Sequence, residues 1–310
     1  MTGRADILQQ RGLKLSHLRM LAALREAGQI GLAADRIGIT QPAASRLLAE
    51  IERIAGIAVH ERSGRGVGLT PAGEALARRA LRVQIELRDA ARDIAEVASG
   101  GTGHVRIGSV TGPALDRVLP VLRTLRMAEP SVTTEVVVAT SDILCEQLLS
   151  GQIDFAIARL LDTAEPGILN WRMIAPEPVS LIVRSGHPLD GRRHVAPEDL
   201  LAYDWVMPGP QTLLSRTVLA RLRSLGLPHP QQRLSTASFL LTLALLQQSN
   251  AIAPLARAVA ESFAKKANAP YAELPVDLGI EVEPFGLITR LGAVLPPVAQ
   301  RLADRIADLA

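Results

Sequence analysis

The residues whose types and spacing best suit chemistry lie near the start of the chain, on one predicted helix. Its apolar positions share one side, and the positions on the other side or at the opening turn are Thr40, Gln41, Pro42, Ser45, Arg46 and Arg53. Glutamine can form two hydrogen bonds with adenine and arginine two with guanine, while serine can bond to either base. The set therefore predicts a helix that reads base edges in the major groove of double-stranded DNA. The alternative is an ordinary surface helix whose solvated face carries the same residue types.

The sequence contains no comparable set of residues for catalysis or metal binding. The histidines are not spaced as metal ligands are, and no nucleophile motif accompanies them: His17, His60, His104, His187, His194 and His229. The single cysteine, Cys145, excludes a disulfide within the chain and lies in an apolar helical run, which favours a buried thiol. We therefore expect neither an enzyme nor a metal or cofactor site.

Three helices must position the DNA-reading residues. The first begins near Leu15 and ends at Gly28, and the second spans about 32–37. After a tight turn the third helix opens at Thr40, with a proline in its first turn, where the missing N–H has no intrahelical acceptor. The pair Ala33-Ala34 permits the close helix approach that a sharp crossing needs. This order is typical of a helix-turn-helix.

A short hairpin is predicted after the three helices. Residues 61–69 include several glycines, which supply the positive φ angles of a tight turn. Arg62 and Arg65 on such a wing are well placed to contact DNA phosphates. A plain surface turn is the alternative, and the glycine spacing does not match a nucleotide-binding loop.

A long helix is predicted from Pro71 to about Ala98, with Thr70 as its cap. Its apolar residues recur at alternating steps of four and three over about three heptads: Leu76, Ala80, Val83, Leu87, Ala90, Ile94 and Val97. The residues between them are mostly charged, which favours a coiled-coil pairing of two chains over packing on the chain's own core. The residues assigned to dimerisation are Leu76, Val83, Leu87 and Ile94.

The composition agrees with a globular protein that has an anionic partner at one end. Of 310 residues 48% are hydrophobic and 3% aromatic, so the cores must be aliphatic. Residues 1–98 hold 15 Arg and Lys against 11 Asp and Glu, whereas residues 99–310 hold 19 against 20. No apolar run reaches the roughly 18 residues that span a bilayer. Because residues 1–11 also lack the apolar core of a secretory signal, we expect a cytoplasmic protein with no membrane partner.

The second part of the chain has a different pattern, and the glycine-rich stretch 99–104 predicts a hinge before it. Strands and helices then alternate: strand 105–110, helix 113–127, strand 133–138, helix 141–149 and strand 153–158. This order predicts an α/β fold with a parallel sheet and helices on its faces. The elements expected after residue 178 are strands 179–184, 205–207, 251–253 and 281–290 and helices 213–225, 238–247 and 297–309.

Several ordered stretches carry a family resemblance. They are AADRIGITQPAASR at 33–46, Glu52, Gly56, Glu61-Arg62, LTPAGE at 69–74, VRIG at 105–108, GQIDFAI at 151–157 and GHPL at 186–189. With these residues the chain resembles LysR-type transcriptional regulators over its whole length. Gln29-Ile30-Gly31 and Val59-His60 depart from the usual pattern. Both are packing positions, so they affect core details rather than DNA binding.

This resemblance implies a regulator built from four consecutive segments. The parts are an N-terminal winged helix-turn-helix (1–70), a linker helix that pairs two chains (71–98), a hinge (99–104) and an effector domain (105–310). The effector domain would resemble type 2 periplasmic binding proteins, with a small molecule between lobe I (105–175 with 270–310) and lobe II (176–269). Such regulators usually form tetramers, bend promoter DNA, and meet RNA polymerase when they activate transcription. The second half resembles the branch that governs sugar or aromatic-acid catabolism.

An effector site can be placed from the strand order. Ligands of open α/β sheets bind beyond the carboxyl ends of the strands, where helix N-termini present free N–H groups. The residues at such ends, and therefore the expected effector contacts, are Ser109, Thr111, Thr140, Ser141, Pro208 and Ser238. Each hydroxyl has an alternative role as the N-cap of its own helix. A carboxylate effector suits these groups, and a neutral sugar is a second candidate.

Two other functions would use parts of the same pattern. A periplasmic solute-binding protein fits the later two-thirds of the chain, but the first 98 residues and the lack of a signal peptide argue against it. An architectural DNA-binding protein without a ligand would not need a two-lobed sensor. The sequence therefore favours an effector-responsive transcription factor.

Overall fold

The computed structural model describes residues 7–63, 66–98, 103–160, 168–231, 234–265 and 268–309. The chain forms two compact units, Met1–Gly101 and Thr102–Ala310, and each has cores of its own. None of the helices in the described ranges combines the length and the hydropathy that crossing a membrane requires.

The first unit is helical apart from one hairpin. Its elements are α1 (Ile7–Gln10), α2 (Leu15–Ala27), α3 (Ile30–Ile37), α4 (Gln41–Ala55), β1 (His60–Ser63), β2 (Gly66–Leu69) and α5 (Pro71–Ala98). Gly28, Gly38 and Gly56 end three of these helices with φ angles of 65°, 72° and 73°. A residue without a Cβ adopts this left-handed conformation without strain, so these glycines determine where each helix stops.

An aliphatic core holds α2, α3 and α4 together. Ala33 and Ala34 of α3 are 0% and 1% exposed, which confirms the predicted close approach of the helices. The buried residues around them include Met20, Leu21, Leu24, Ala44, Leu48 and Ile51. Each large side chain of this kind contributes about 1.5–3 kcal/mol when it is buried. The apolar face of helix α4 therefore fixes this helix against α2 and α3.

The first lobe of the second unit is built on a mixed sheet. Its elements are β3 (His104–Ser109), α6 (Thr111–Pro113), a π-helical segment (Ala114–Val118), α7 (Leu119–Ala128), β4 (Thr133–Val138), α8 (Ser141–Leu149), β5 (Phe155–Ala158), β11 (Glu281–Arg290) and α12 (Pro297–Asp308). Strand β3 pairs in parallel with both β4 and β5, as predicted. Strand β11 is antiparallel to β5. Helix α12 returns to this lobe and packs Leu302 and Ile306 against Ile107 and Phe155.

The second lobe is reached through one long strand, β6 (Leu169–Arg184). Its first half pairs with β11 in the first lobe, and its second half pairs with β9 and β10 in the second. The remaining elements are a 3-10 helix (Pro197–Ala202), β7 (Val206–Met207), α9 (Leu213–Ser224), β8 (Leu234–Ser235), α10 (Phe239–Gln248), β9 (Ala253–Ala256), α11 (Arg257–Phe263) and β10 (Tyr271–Glu273).

The predicted lobe boundary at residue 270 was wrong. Strand β10 pairs with the second half of β6, and Leu274, Leu278 and Ile280 lie in the same core as Leu181. The chain therefore returns to the first lobe only where β11 begins, at Glu281. The prediction also missed α11, β10 and the first half of β6. Residues 169–176 are mostly solvent-facing and carry no clear alternation, so only their pairing with β11 makes them a strand.

Candidate nucleic-acid interface and effector cleft

The six residues predicted to read DNA are all exposed. Thr40, Gln41, Pro42, Ser45, Arg46 and Arg53 are solvent-facing, while Ala44, Leu48 and Ile51 on the opposite side of α4 are 0% exposed. Thr40 occupies the N-cap position, but its side chain makes no capping hydrogen bond. Helix α4 thus presents one polar face to solvent, with Pro42 in the first turn as predicted.

The two arginines of this face are only weakly restrained by the chain. Nε of Arg46 donates to the Pro42 carbonyl at 3.4 Å, and Arg53 lies 3.9 Å from Glu50. Both distances are long for strong polar contacts. The guanidinium groups are therefore available to an incoming base or phosphate at little cost.

Buried polar contacts that sequence analysis did not foresee orient α4. His17 of α2 is 1% exposed, and its Nδ1 accepts a hydrogen bond from the Lys14 amide at 3.0 Å. Its Nε2 must then carry the proton of the neutral ring, and it lies 3.3 Å from Glu50. Glu52 accepts hydrogen bonds from the amides of Val59 (3.0 Å) and His60 (3.4 Å), which ties α4 to the hairpin. The spacing of the histidines along the chain gives no signal for the contact between His17 and Glu50.

The predicted wing is a two-stranded hairpin. Strands β1 and β2 pair antiparallel, with His60 opposite Leu69 and Ser63 opposite Gly66. Arg62 lies in β1, but its side chain is outside the described part, and Arg65 is itself outside the described residues. Contact of these two arginines with phosphates stays a prediction.

The junction between the hairpin and α5 is tightly packed. The hydroxyl of Thr70 donates to Ala58 and accepts from the Gly73 amide at 3.1 Å, which confirms the predicted cap. A Cβ on Gly73 would lie 1.9 Å from the Val59 carbonyl oxygen. The glycine is therefore required because the backbone of the hairpin passes directly over α5.

The seam of α5 divides into two parts. Ala80 is fully buried and Leu76 is partly buried against the core of the first unit, so Leu76 has a packing role within its own chain. Farther along, the seam is uncovered: Val83 is 38%, Leu87 49%, Ile94 71% and Val97 82% exposed. An apolar stripe of this kind on a charged helix is typical of a coiled-coil surface.

Two predicted effector residues, Thr111 and Ser141, lie where strands β3 and β4 give way to helices α6 and α8. The hydroxyl oxygen of Ser141 accepts a hydrogen bond from the Arg159 amide at 3.1 Å. This hydrogen bond links the end of β5 to the start of α8. Ser109 differs from the expectation. It is 0% exposed, and its hydroxyl donates to the Val110 carbonyl at 3.0 Å, so its side chain does not line the cleft.

The other predicted effector residues have local roles as well. Ser238 caps α10, because its hydroxyl oxygen accepts from the Leu241 amide at 3.3 Å. The hydroxyl of Thr140 hydrogen-bonds Asp142 and lowers the pKa of that carboxyl, although partial burial opposes the effect. The carbonyl of Pro208 accepts a hydrogen bond from Ser215 at 2.7 Å. The N-cap alternative is thus realised at Ser238, which is nonetheless exposed.

Charged residues that were not predicted gather between the strand ends. Arg159 directly follows β5 and is 7% exposed; its guanidinium donates to the Glu177 carboxylate and, through Nε, to the Glu283 carbonyl at 2.7 Å. Burial raises the pKa of Asp116, and Glu177 and Glu261 add to the rise, while Arg117 opposes it. Asp116 still keeps contact with solvent. The sequence offers one signal for this cluster, namely Arg159 directly after the apolar run 155–158.

Cys145 lies behind this cluster. It is 7% exposed, its Sγ is 4.0 Å from the Arg159 carbonyl oxygen, and burial raises the pKa of the thiol. A high pKa keeps the group in its unreactive thiol form. The predicted buried thiol is confirmed.

A cavity of about 500 Å³ lies elsewhere, in the second lobe. Tyr203, Trp205, Gln231 and Asn250 are among its lining residues, and none of the predicted effector residues is. It opens at the amino-terminal ends of β7 and β8, whereas ligands of α/β sheets bind at carboxyl ends. We therefore do not identify this cavity with the effector cleft.

Comparison with known proteins covers both units. Residues 15–74 match the family "Bacterial regulatory helix-turn-helix protein, lysR family", and residues 98–310 match the LysR substrate binding domain. The HTH-type transcriptional regulator GbpR of Rhizobium radiobacter is 43% identical over 249 residues, which are 80% of this chain and 82% of that protein. The regulator PcaQ of Agrobacterium fabrum is 28% identical over 90% of this chain and 89% of its own.

Solved structures of the same fold cover most of the chain. CbnR in complex with its target DNA has a TM-score of 0.52 at 23% identity, covering 95% of this chain and 98% of its own. A full-length OxyR variant from Pseudomonas aeruginosa has a TM-score of 0.61 at 22% identity, covering 95% and 94%. With a helix-turn-helix, a two-lobed α/β domain and both family matches in place, the chain belongs to the LysR family of bacterial transcriptional regulators.

Proposed function

We propose that this regulator recognises its operator with the exposed face of α4. The observation that carries the proposal is the division of that helix into an apolar side that packs into the core and a solvent-facing side that bears Gln41, Ser45 and Arg46. These side chains match the hydrogen-bonding groups of base edges in the major groove. Arg53, Arg62 and Arg65 would contact phosphates, which fix the register without reading sequence.

The uncovered part of α5 supports a dimer, and we infer that two dimers join into a homotetramer. Val83, Leu87 and Ile94 would form the seam, because their exposure leaves an apolar stripe that a second α5 can cover. Two DNA-binding units on one dimer would recognise two half-sites. A protein that acts on promoter DNA would be located in the cytoplasm. If this regulator activates transcription, it would also contact RNA polymerase.

The effector would bind between the two lobes, near Thr111, Ser141 and Arg159. Thr111 and Ser141 stand at carboxyl ends of parallel strands, which is where small molecules meet α/β sheets. The buried Arg159–Glu177 pair lies next to these hydroxyls, because the Arg159 amide donates to Ser141. A carboxylate or a sugar would be the chemical class of the effector.

A gel shift tests DNA recognition. Purified protein is mixed with the intergenic DNA that flanks its own gene, with nonspecific competitor at a stated salt concentration, because phosphate contacts weaken steeply as salt rises. We expect a discrete shift that survives the competitor. If neither this DNA nor random genomic fragments shift with folded, dimeric protein, the assignment of α4 to base reading fails.

The effector cleft is tested by thermal shift with a panel of aromatic carboxylates, sugar acids and neutral sugars. A compound that stabilises the protein is then titrated calorimetrically into the variant carrying Thr111→Ala and Ser141→Ala. We expect weaker binding with unchanged operator affinity, since both side chains lie in the second unit. Thr124→Ala, an exposed hydroxyl on α7 of the same lobe, is the matched control and should bind as the unaltered protein does. Normal binding by the double variant would place the effector elsewhere.

A further inference from the structure

An ion pair stands where the chain passes from the first lobe to the second. Arg159 extends from the end of β5 and pairs with Glu177 on β6; their side chains are 8% and 14% exposed. Glu177 lies where β6 is about to leave the first lobe: it pairs with Val282 of β11, Pro178 pairs with Glu281, and Val179 already pairs with β9. The pair therefore fastens the crossover strand to the first lobe.

A bulge in β11 provides the second anchor of Arg159. The pairing of β6 with β11 is interrupted between Val282 and Phe285. Glu283 lies in this interruption, and its carbonyl accepts the hydrogen bond from Nε of Arg159 at 2.7 Å. Bulges commonly re-aim backbone groups in this manner. Arg159 thus holds β5, β6 and β11 together at one point.

Gly112 of α6 forms the seat of Glu177. A Cβ on Gly112 would lie 2.2 Å from Oε1 of Glu177 and 3.0 Å from the Cβ of Ala256. Ala256 is the last residue of β9 and belongs to the second lobe, where α11 begins. A side chain at position 112 would therefore push the Glu177 carboxylate from its present place and crowd Ala256. The first lobe, the crossover strand and the second lobe therefore meet at Gly112.

We propose that the Arg159–Glu177 pair, seated on Gly112, is the lock that holds the two lobes at their mutual angle. Removing one partner of a buried pair leaves the other charge without compensation, so the lock is stable only while both are in place. This inference deepens the proposed function. It rests on that function because the angle between the lobes has a regulatory role only if an effector binds between them. Thr111 precedes Gly112 and Ser141 accepts from the Arg159 amide, so an effector at either hydroxyl would act directly on the lock.

Hydrogen exchange followed by mass spectrometry tests the lock in the full-length protein, without DNA or effector. We expect Gly112→Ala to speed amide exchange about tenfold in residues 111–118 and 253–263, since the added Cβ displaces Glu177 and Ala256. Glu177→Gln keeps the shape of the side chain but removes its charge, and it should speed the same amides. Gly209→Ala is the matched control, because a Cβ there meets nothing within 4 Å.

The double variant distinguishes a shared contact from two unrelated losses. Gly112→Ala combined with Glu177→Gln should exchange no faster than the quicker of the two single variants, because both changes remove the same contact. Exchange in Gly112→Ala that equals exchange in Gly209→Ala would overturn the lock. If Gly112→Ala prevents folding, Glu177→Gln decides alone, and unchanged exchange in that variant overturns the proposal. Since the measurement uses neither operator nor effector, its failure is separate from a failed gel shift or titration.

Discussion

Arg46 illustrates how a single side chain can be prepared for DNA without being fixed. It is exposed on α4, and its one hydrogen bond in the described structure, 3.4 Å long, goes to a carbonyl one turn earlier. The apolar face of the same helix packs into the core through Leu48 and Ile51, so the position of the backbone is set while the guanidinium can still turn. His17 and Glu52, by contrast, are held by short contacts and fix the orientation of the helix.

We expect Arg46→Ala to abolish the discrete operator shift while the free energy of unfolding changes by less than about 0.5 kcal/mol. A base contact by arginine is worth about 1–3 kcal/mol, and its loss also relaxes sequence preference. Gel shifts and urea unfolding measure the two effects. Arg126→Ala on α7 removes the same charge from an exposed site in the second unit and should bind as before. Undiminished affinity in Arg46→Ala would remove this residue from the reading face.

His187 makes the second unit sensitive to pH. Its ring is 2% exposed, Nδ1 accepts from the Leu189 amide at 3.1 Å, and Nε2 lies 3.0 Å from the Asn250 carbonyl oxygen. Burial lowers the pKa of His187 below 6.5, and Arg184 lowers it further, although the Asn250 carbonyl and Asp190 oppose them. Below pH 6.5 the unfolded chain therefore takes up a proton before the folded one does.

The free energy of unfolding of the second unit should accordingly decrease as the pH falls from 6.5 toward the folded pKa of His187. Urea unfolding at a series of pH values, followed by tryptophan fluorescence, measures the decrease. His187→Asn removes the titrating ring, so its stability should vary less over the same window. If the stability of His187→Asn depends on pH as steeply as that of the unaltered protein, the assignment is wrong. An imidazole resonance of His187 that titrates above pH 6.5 would also contradict it.

At the scale of elements, α5 shows one helix serving two packing tasks. Its first turns contribute Ala77 and Ala80 to the core of the first unit, and Gln84 donates to the Leu18 carbonyl of α2 at 3.4 Å. From Val83 onward the seam is covered less and less by the described part of its own chain, and its exposure rises from 38% at Val83 to 82% at Val97. The helix was predicted correctly, but its heptad period did not distinguish the residues that pack on the first unit from those that stay exposed.

We expect Leu87→Asp to separate the paired chains, because a carboxylate buried in an apolar seam costs on the order of several kcal/mol. Light scattering at a series of protein concentrations gives the mass of the assembly. Ala95→Asp introduces the same residue into the same helix at an exposed position outside the seam, and it should leave the mass unchanged. If Leu87→Asp also retains its mass, α5 does not pair through this seam.

At the scale of the whole molecule, the chain consists of two units that each have their own cores. Leu48 is 0% exposed among helices of the first unit, and Leu302 is 1% exposed between α12 and the sheet of the second. Both tryptophans, Trp171 and Trp205, lie in the second unit, so their fluorescence reports on that unit alone. Circular dichroism reports helices in both.

We therefore expect two separable responses to core truncation, each a loss of about 2–5 kcal/mol. Leu48→Ala should lower the urea midpoint seen by circular dichroism and leave the fluorescence midpoint in place. Leu302→Ala should lower the fluorescence midpoint. Each variant is the control for the other. If Leu48→Ala moves both signals equally, the two units unfold as one.

Local features of the sequence were sufficient to determine the helix-turn-helix, the hairpin, the seam of α5 and the order of β3, α8 and β5. Such features act within a few residues: a glycine ends a helix, a proline fits its first turn, and apolar residues recur with the period of the element. The exposed face of α4 follows from the same local period, so its candidate residues could be named in advance.

Only the tertiary structure decided which distant residues meet. Leu274 and Ile280 joined the second lobe because they bury apolar surface against β6, not because of their own pattern. Glu177 became the partner of Arg159, and His17 the partner of Glu50, because the fold brings them together across many intervening residues. Buried charges and polar groups need hydrogen-bonding or ionic partners, and these partners can be distant in the sequence. The periodic pattern of apolar residues does not indicate which distant residue will be the partner.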